Sequence, residues 1–231
     1  TTIEEPFNWE RVTKLYNQTK MLRPHDWWIV SDDDELQVYN ERKHLGKILG
    51  IEDIIEECED RGNTYVCGAF LDRIGEGGKF PRITHDSNIW KEFPLAGSFR
   101  VHASQACPNK VCLMKGYVEV TNGQHYVKIN GKDTYGDRWK HRQRYDDRNC
   151  FVQVNHFKWD LSVLTRLKEV VNIKKPYTYH EEYKRMFDYI LDNNMKIDIK
   201  DKRFRIERSG KHYGEYPHWD LIKDEAIAYR T

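Results

Sequence analysis

The spacing of apolar side chains predicts helices in four parts of the chain. In each part apolar residues recur every three or four positions, which is the period of an amphipathic helix. Pro24 and Gly62 follow the first two parts, and both residue types commonly end helices. The fourth part is expected to pack through Tyr183, Met186, Phe187, Ile190 and Leu191. The predicted helices cover 7–22, 51–58, a segment that starts near Asp160, and 179–193.

Runs of β-branched and aromatic residues predict strands between these helices. A short buried strand is expected at 27–30, directly before a run of acids, and a longer strand at 64–72. Turn-forming pairs such as Asn122-Gly123 separate the later runs. These later strands are predicted at 98–103, 110–114, 116–120, 125–129 and 150–157. An early strand–helix–strand order followed by several short strands predicts a mixed α/β fold.

Glycine and proline mark segments that are expected to lie outside these elements. The glycine-rich segment 75–81 is predicted to be an exposed loop. Near the end of the chain, 196–208 is predicted to form a short hairpin, and a final helical turn is expected after Pro217. The C-terminal part is therefore expected to be a helical and hairpin extension.

Composition narrows the classes of protein to which the chain can belong. With 231 residues, 39% hydrophobic and 13% aromatic, the chain can bury a core, and these shares argue against disorder despite 32% charge. A net charge of +1 gives no support for nucleic acid or a membrane surface as a partner. No apolar run approaches the roughly 20 residues of a membrane span. Five scattered cysteines without a C-x-x-C pair indicate reduced thiols, so a cytoplasmic location is expected.

The acids at 32–35 are the strongest candidates for chemistry. Like charges side by side repel, and the repulsion costs little only in water or around a cation. If these acids end a strand, Asp32 and Asp34 point the same way, at the carboxyl end where α/β sheets bind ligands. Two carboxylates there suit Mg²⁺ or Mn²⁺, which could in turn neutralise a diphosphate leaving group. The alternative is a solvated turn in which Asp34 or Glu35 caps a helix.

Four segments, in order, resemble GT-A glycosyltransferases, close to family 2 and related bacterial and viral branches. The first is WWIVSDDDEL, which is similar to the D-x-D-E segment of those enzymes. The others are GAFLDRIGEGGKFP with NIWKEFPL behind it, KVCLMKGYVEVTNGQHY and VNHFKWDLSVLTRLKE. The similarity covers about residues 10–170. It implies a GT-A-like α/β fold, a Rossmann-like mixed sheet flanked by helices, with a catalytic domain over 1–175 and an extension over 176–231 packed on it.

The resemblance implies an enzyme that moves a sugar from a nucleotide-sugar donor to a glycan or other hydroxyl acceptor, by an inverting mechanism. It also implies that Asp32 and Asp34 hold Mn²⁺ or Mg²⁺ against the diphosphate of the donor. Enzymes of this fold often add a histidine from a later strand or loop, and His156 is the first candidate and His125 the second. Imidazole suits Mn²⁺ as carboxylates do. The alternative for either histidine is a hydrogen bond within the core or at a strand end.

An inverting transferase also needs a carboxylate that takes the proton from the acceptor hydroxyl. Asp72 and Glu92, which both lie in segments that resemble the family, are the two candidates. The alternatives are an ion pair or a loop cap for Asp72 and an exposed helix charge for Glu92. For both Asp72 and Glu92, the sequence leaves the base and the alternative role open.

The diphosphate of a donor needs cations, and its sugar needs a flat apolar surface. Arg73, Lys110 and Lys158 lie in or beside the segments that resemble the family, and each is predicted to reach phosphate oxygens. Trp159 is predicted to stack on a sugar face, although the core is the commoner place for tryptophan. The alternative for the three cations is ordinary solvation at the surface.

One departure from the family concerns the start of the chain. The family places a nucleotide-binding β-α-β half before the acid motif, and that half takes far more than the 31 residues found here. The chain is therefore expected either to be trimmed or to have a base-binding half that is reduced or supplied by upstream sequence. Two other functions stay open: a non-catalytic module that binds a glycan or nucleotide, and a metal-dependent phosphohydrolase of nucleotide-sugars.

Overall fold

The computed structural model describes residues 9–40, 43–44, 47–48, 50–129, 132–133, 144–145, 151–172 and 180–229. The helices are α1 (Trp9–Lys20), α2 (Ile51–Arg61), α3 (Ile89–Glu92), α4 (Phe99–Ser104), α5 (Leu161–Val171), α6 (His180–Asp192) and α7 (Trp219–Ala228). The strands are β1 (Trp27–Ile29), β2 (Glu35–Val38), β3 (Lys43–His44), β4 (Lys47–Ile48), β5 (Tyr65–Ile74), β6 (Leu95–Gly97), β7 (Asn109–Lys115), β8 (Glu119–Val120), β9 (Val127–Ile129), β10 (Lys132–Asp133), β11 (Arg144–Tyr145), β12 (Val152–His156) and β13 (Glu207–Arg208).

The fold is built on a mixed sheet in which β5 is the central strand. The strand order is β1-β7-β5-β12-β2. β5 runs parallel to β12 and antiparallel to β7, and β12 runs antiparallel to β2. β6 pairs with β5 beyond the end of the β7 pairing, β13 pairs with β6, and β11 pairs with the start of β5. With helices packed on this sheet, the chain has a mixed α/β fold.

Among the described residues, three apolar clusters hold α2, α4, α5, α6 and α7 against the sheet. All ten residues of β5 are buried, so both of its faces are covered. On one face Phe70 packs in a cluster with Ile54 of α2, and on the other Leu71 packs in a cluster with Trp219 of α7. A third cluster surrounds Phe99 and joins α4 to α5 and α6. The elements that follow residue 175 thus pack on the sheet and helices that precede them.

Most of the predicted elements are confirmed. The four predicted helices are α1, α2, α5 and α6, and the strands predicted at 64–72, 110–114 and 150–157 are β5, β7 and β12. Gly62 ends α2 in a left-handed conformation with φ of 68°, as its residue type favours. The side chain of Asp160 accepts backbone N–H groups at the start of α5, which fixes that helix boundary.

The prediction of a strand at 98–103 is wrong, because this segment forms the helix α4. Its alternation of apolar and polar residues resembles a strand, but tertiary contacts decide the conformation. Phe99 lies 4.7 Å from the Trp159 ring, 5.4 Å from the Tyr189 ring and 5.1 Å from the Phe204 ring, measured between centroids. A helical turn buries Phe99 together with Arg100.

Burial was predicted wrongly at two apolar positions. The strand β1 is not buried, because it lies at the edge of the sheet and pairs with β7 alone, and Ile29 is 53% exposed. Leu191 is 49% exposed, although its neighbour on α6, Ile190, is fully buried. Helical spacing therefore identified α6 but extended its apolar face by one residue.

The C-terminal segment differs from the predicted hairpin. Within 196–208 the carboxylates of Asp198 and Asp201 accept backbone N–H groups two residues later, which forms turns. The strand at the end of this segment, β13, pairs with β6. The predicted final turn after Pro217 is longer than expected, because α7 runs for ten residues.

The predicted loop at 75–81 is only partly exposed. Gly78 is buried with φ of +74°, and its carbonyl oxygen accepts the backbone N–H of Ile197 at 2.9 Å. A Cβ atom at position 78 would lie 1.8 Å from the Ile197 carbonyl oxygen, so glycine is required there. Within the described residues no helix combines the length and apolar character needed to cross a membrane.

Candidate metal centre

The run of acids lies in a turn that joins β1 to β2. The acids do not end a strand as predicted, because Glu35 begins β2 and its backbone N–H closes a turn onto the carbonyl oxygen of Asp32 at 3.2 Å. The turn brings Asp32, Asp34 and Glu35 together, and one oxygen from each lies within 4.8 Å of the others. Asp33 is exposed and does not belong to this group. The alternative of a helix cap is wrong as well, since a strand follows the acids.

This acid cluster, Asp32, Asp34 and Glu35, lies at the edge of the sheet where the parallel strands β5 and β12 end. In the register of the sheet, His156 is opposite Asp72 on one side and Glu35 on the other. The backbone N–H of the next residue, at position 157, donates to the carbonyl oxygen of Asp34 at 2.8 Å and ties the turn to the end of β12. Ligands of α/β sheets commonly bind at this edge.

The imidazole of His156 lies between two carboxylates. Its Nδ1 is 3.0 Å from Asp72 Oδ1, and its Nε2 is 3.5 Å from Asp34 Oδ2. Asp72 is 1% exposed and also accepts the indole N–H of Trp159 at 2.9 Å and the backbone N–H of Arg100 at 2.6 Å. Since Asp72 accepts both of these N–H groups, the same carboxylate accepts the His156 Nδ1–H, and Nε2 faces Asp34.

The charges around His156 shift the pKa values of the imidazole and of Asp34 apart. Burial acts to lower the pKa of His156, but its hydrogen bonds to Asp34 and Asp72 raise it above its usual value. Burial acts to raise the pKa of Asp34, but the hydrogen bond to His156 and the positive charges of His156, Lys158 and Lys110 hold it well below its usual range. Asp34 is therefore ionised, and a metal ion that bound His156 would replace the proton at Nε2.

A lysine enters the acid cluster from β7. The Nζ atom of Lys110 is 2.8 Å from Asp32 Oδ2 and 2.8 Å from Glu35 Oε1, and the side chain of Lys110 is 1% exposed. The other oxygen of Glu35, Oε2, accepts the backbone N–H of Asp32 at 3.3 Å. Burial acts to lower the pKa of Lys110, but the charges of Glu35 and Asp32 raise it above its usual value. Lys110 is thus a buried ammonium that bridges two of the three acids.

The residues of this cluster fit a divalent cation in charge and in spacing. Three carboxylates and one ammonium leave two negative charges when His156 is neutral. Ligands at about 2.1 Å from an octahedral ion stand about 3 Å apart, which is close to the 3.5 Å between His156 Nε2 and Asp34 Oδ2. A carboxylate behind a metal-binding histidine, as Asp72 lies behind His156, is the usual arrangement that orients such a ligand. Asp32, Asp34 and Glu35 lie close enough together to hold such an ion, although both oxygens of Glu35 already accept hydrogen bonds. His156 adjoins this group through Asp34.

The second histidine candidate, His125, lies near this cluster but is held differently. Its Nδ1 is 2.8 Å from the carbonyl oxygen of Asn109, and its ring contacts Phe70 at 5.9 Å between centroids. Burial and the positive charges of Arg100 and Lys110 lower its pKa well below the usual value. His125 is thus a neutral imidazole, and it is not one of the residues that converge with the acids.

Two of the residues predicted to bind the donor do not face the acid cluster: Arg73 lies on the opposite face of β5, and Trp159 lies in the core. Arg73 points to the opposite face of β5 from Asp72, donates to Asn155 Oδ1 at 2.8 Å and lies over the ring of Trp90 at 4.9 Å. Burial lowers the pKa of Arg73 to about 10. Trp159 is fully buried among core aromatics, which is the alternative noted for it.

Lys158 and Glu92 lie near the same edge of the sheet. The Lys158 Nζ atom is 3.3 Å from the hydroxyl oxygen of Tyr183 and 4.8 Å from the centroid of its ring, and its charge lowers the pKa of Asp34. Glu92 ends the short helix α3. The rings of Trp90 in this helix and of Phe93 directly after it contact the Phe157 ring edge-on, at 5.2 and 5.6 Å between centroids. The side chain of Glu92 is half-buried.

The sequence did not select Arg100, which the fold places beside Asp72. Arg100 is 8% exposed, and its Nε donates to Glu182 Oε1 at 3.2 Å. Its guanidinium lies 4.9 Å from the centroid of the Phe70 ring. Burial acts to lower the pKa of Arg100, but the negative charges of Glu182 and Asp72 raise it. The strand predicted for its segment gave no signal that Arg100 would lie in this position.

A cleft of about 720 Å³ lies between α1 and the segment around β8. Thr13 and Asn17 line one side of this cleft, and Tyr117 and Asn122 line the other. None of the predicted site residues lines it. The cleft and the acid cluster are therefore separate features of the surface.

Comparison with protein-family models, with curated proteins and with solved structures finds no match to this chain. The likeness to GT-A glycosyltransferases therefore rests on the four sequence segments quoted above. The mixed sheet flanked by helices is consistent with an α/β fold.

Proposed function

We propose that the chain is a metal-dependent glycosyltransferase of GT-A type, which moves a sugar from a nucleotide-sugar donor to a glycan or other hydroxyl acceptor. The observation that carries this proposal is the line Asp34–His156–Asp72 at the carboxyl ends of β5 and β12. It joins the acids of the D-x-D-E segment to the histidine of a second, distant segment that also resembles the family. Acids in a turn surrounded only by water would not contact a buried imidazole, as Asp34 does.

The proposal gives each residue of the site a separate role. Asp32, Asp34 and His156 would hold Mn²⁺ or Mg²⁺, which when bound neutralises the charge of the leaving diphosphate. Asp72 holds the His156 ring in place and keeps the Nδ1 proton, so that Nε2 is the ligand atom. Lys158, whose charge already acts on Asp34, is placed to attract phosphate oxygens.

The base that accepts the proton of the acceptor hydroxyl is assigned to Glu92. Asp72 is an unsuitable base because it is buried and its oxygens accept hydrogen bonds from His156, Trp159 and the Arg100 backbone. Glu92 is half-buried at the end of α3, the helix whose Trp90 contacts the ring of the residue after β12. A carboxylate that water and substrate can reach is a better proton acceptor than one enclosed by donors.

A thermal-shift titration tests the proposed donor site. UDP, GDP, CMP and dTDP are each added with Mn²⁺ or with EDTA to the wild type and to Asp32→Ala/Asp34→Ala. A ligand of the native state raises the melting temperature, so we expect a rise that is selective for one nucleotide, needs Mn²⁺ and disappears in the double variant. Asp33→Ala is the matched control, because Asp33 is exposed and outside the cluster, and it should retain the rise. A cooperative melt without a shift for any nucleotide would overturn the proposal.

Product analysis separates the transferase from the two other functions. A metal-dependent phosphohydrolase would release free sugar or sugar phosphate from the donor without an acceptor. A non-catalytic module would show the Mn²⁺-dependent shift but leave donor and acceptor unchanged. Transfer to an added hydroxyl acceptor, lost in Asp32→Ala/Asp34→Ala and kept in Asp33→Ala, is the result expected for the transferase.

A further inference from the structure

Lys110 occupies the position of a cation inside the acid cluster. Its Nζ is 2.8 Å from both Asp32 Oδ2 and Glu35 Oε1, and its side chain is 1% exposed. Lys110 extends from β7, where it pairs with Gly68 at the centre of the sheet, so its backbone is fixed by the core. An ammonium held in this way is part of the site and is not a solvated surface charge.

We propose that Lys110 is an internal substitute for the divalent ion: it neutralises Asp32 and Glu35 in the metal-free protein and gives up Asp32 when the metal binds. The inference rests on the proposed function, because it concerns the metal ion of the same site. It adds a regulation that the proposed function does not contain. Lys110 competes with the metal, so it lowers metal affinity and keeps the metal-free protein folded.

The competition follows from the position of Asp32. Asp32 belongs both to the acid cluster that could hold a metal and to the ion pair with Lys110. A divalent ion on Asp32 would stand close to the ammonium, and two cations that share one carboxylate repel each other. Lys110 has a second partner in Glu35, whose side chain is 2% exposed, so the ammonium keeps one partner when it loses Asp32.

The role in the metal-free protein follows from the crowding of the acids, because the Glu35 side chain is 2% exposed and the Asp32 side chain 22%. Without Lys110, Asp32, Asp34 and Glu35 would face one another with no cation between Asp32 and Glu35. Buried like charges destabilise a fold unless a counter-charge is present. A divalent ion would then replace the missing ammonium, so the stability of a variant without Lys110 should depend on metal.

Lys110→Met tests the inference, because methionine keeps most of the length of the side chain and removes the charge. Mn²⁺ affinity is measured without nucleotide by the EPR signal of free Mn²⁺, and melting temperatures are measured in EDTA and in Mn²⁺. We expect Lys110→Met to bind Mn²⁺ at least about tenfold more tightly than the wild type does. Its melting temperature in EDTA should be lower than that of the wild type, and Mn²⁺ should raise its melting temperature by more. Lys115→Met is the matched control on the same strand, because Lys115 pairs with Glu59 outside the cluster, and it should bind Mn²⁺ as the wild type does.

The outcomes separate this inference from the proposed function. Unchanged or weaker Mn²⁺ binding by Lys110→Met, with tight binding by the wild type that is lost in Asp32→Ala/Asp34→Ala, overturns the role of Lys110 alone. No Mn²⁺ binding by the wild type overturns both proposals. If Lys110→Met does not fold in EDTA but folds in Mn²⁺, the inference is supported. If it folds in neither, Lys110→Gln is measured in the same way, and failure of both variants to fold with Mn²⁺ overturns the inference.

Discussion

The Nδ1 atom of His156 lies 3.0 Å from Asp72 Oδ1, and this contact joins the ends of two parallel strands, β12 and β5. Both side chains are buried, with His156 4% and Asp72 1% exposed. The contact fixes which nitrogen of the imidazole meets Asp72 and which nitrogen faces Asp34. The sheet register therefore determines which carboxylates the His156 ring meets.

Asp72→Asn should weaken metal binding without removing a proposed metal ligand. The amide has a single acceptor oxygen for the three donors around it, so the ring of His156 is no longer held in one orientation. Loss of such a supporting carboxylate costs about 10–100-fold in metal affinity. An unsatisfied buried donor should also lower the free energy of unfolding by about 1–3 kcal/mol.

Mn²⁺ titration and urea unfolding of Asp72→Asn measure these two effects. Asp86→Asn is the control, because the side chain of Asp86 is fully exposed and should change neither quantity. Metal affinity equal to that of the wild type in Asp72→Asn would show that Asp72 does not support a metal-binding histidine.

Glu92→Gln should separate proton transfer from donor binding. If Glu92 takes the proton of the acceptor, the amide lowers kcat by about 10²–10⁴-fold, the usual contribution of a general base. The Mn²⁺-dependent thermal shift with nucleotide should stay as in the wild type, because Glu92 lies outside the acid cluster. Steady-state kinetics with a saturating donor measure kcat, and Glu56→Gln on the exposed side of α2 is the control. A parallel loss of the thermal shift would contradict the role of Glu92 as a base.

The acid cluster shows which part of a site local sequence can predict. The sequence selected Asp32, Asp34 and His156 from residue types and from the segments that resemble the family, and the fold brings Asp34 next to both Asp32 and His156. The physical reason given for Asp32 and Asp34, alternation along a strand, was wrong, because a turn brings them together. A strand end and a tight turn both follow an apolar run, and local sequence does not distinguish them.

Residues such as Arg100 and Arg73 depend on tertiary structure that the sequence pattern does not contain. Arg100 lies beside Asp72 because α4 is a helix, and the helix is favoured because Phe99 packs among aromatic rings from distant segments. Arg73 lies away from the acid cluster because side chains alternate along β5, so that Asp72 and Arg73 point to opposite faces of the sheet. The helices with strong spacing and a capping residue, such as Asp160 at the start of α5, could be predicted because their signals are local.

The ion pair of Arg100 with Glu182 should contribute to stability through the burial of the arginine. Glu182→Ala leaves the Arg100 guanidinium buried without its carboxylate, so we expect a loss of about 3–5 kcal/mol in the free energy of unfolding. Arg100→Met/Glu182→Ala should lose less than the sum of the single variants, because it removes both charges. Urea unfolding measures the cycle, with Glu181→Ala as the control, since the Glu181 side chain is 73% exposed. Additive losses would show that the pair is not coupled.

A buried lysine on α1 should make stability depend on pH in the alkaline range. Lys20 is 1% exposed, its Nζ donates to the carbonyl oxygen of Val118 at 2.6 Å, and burial lowers its pKa from 10.5 to about 8. Between these two values the unfolded chain holds a proton on Lys20 that the folded chain has released. Stability therefore rises with pH through this interval, and the gain is lost as the pH falls toward 8.

The comparison of the wild type with Lys20→Met isolates this contribution. From pH 8 to 10 the free energy of unfolding of the wild type should increase relative to that of Lys20→Met, by on the order of 2 kcal/mol. Urea unfolding at several pH values measures the difference, and Lys14→Met on the exposed side of the same helix is the control. The difference between variants, and not the wild type alone, is informative, because tyrosines titrate in the same range. A difference that stays constant from pH 8 to 10 would show that Lys20 remains protonated in the folded protein.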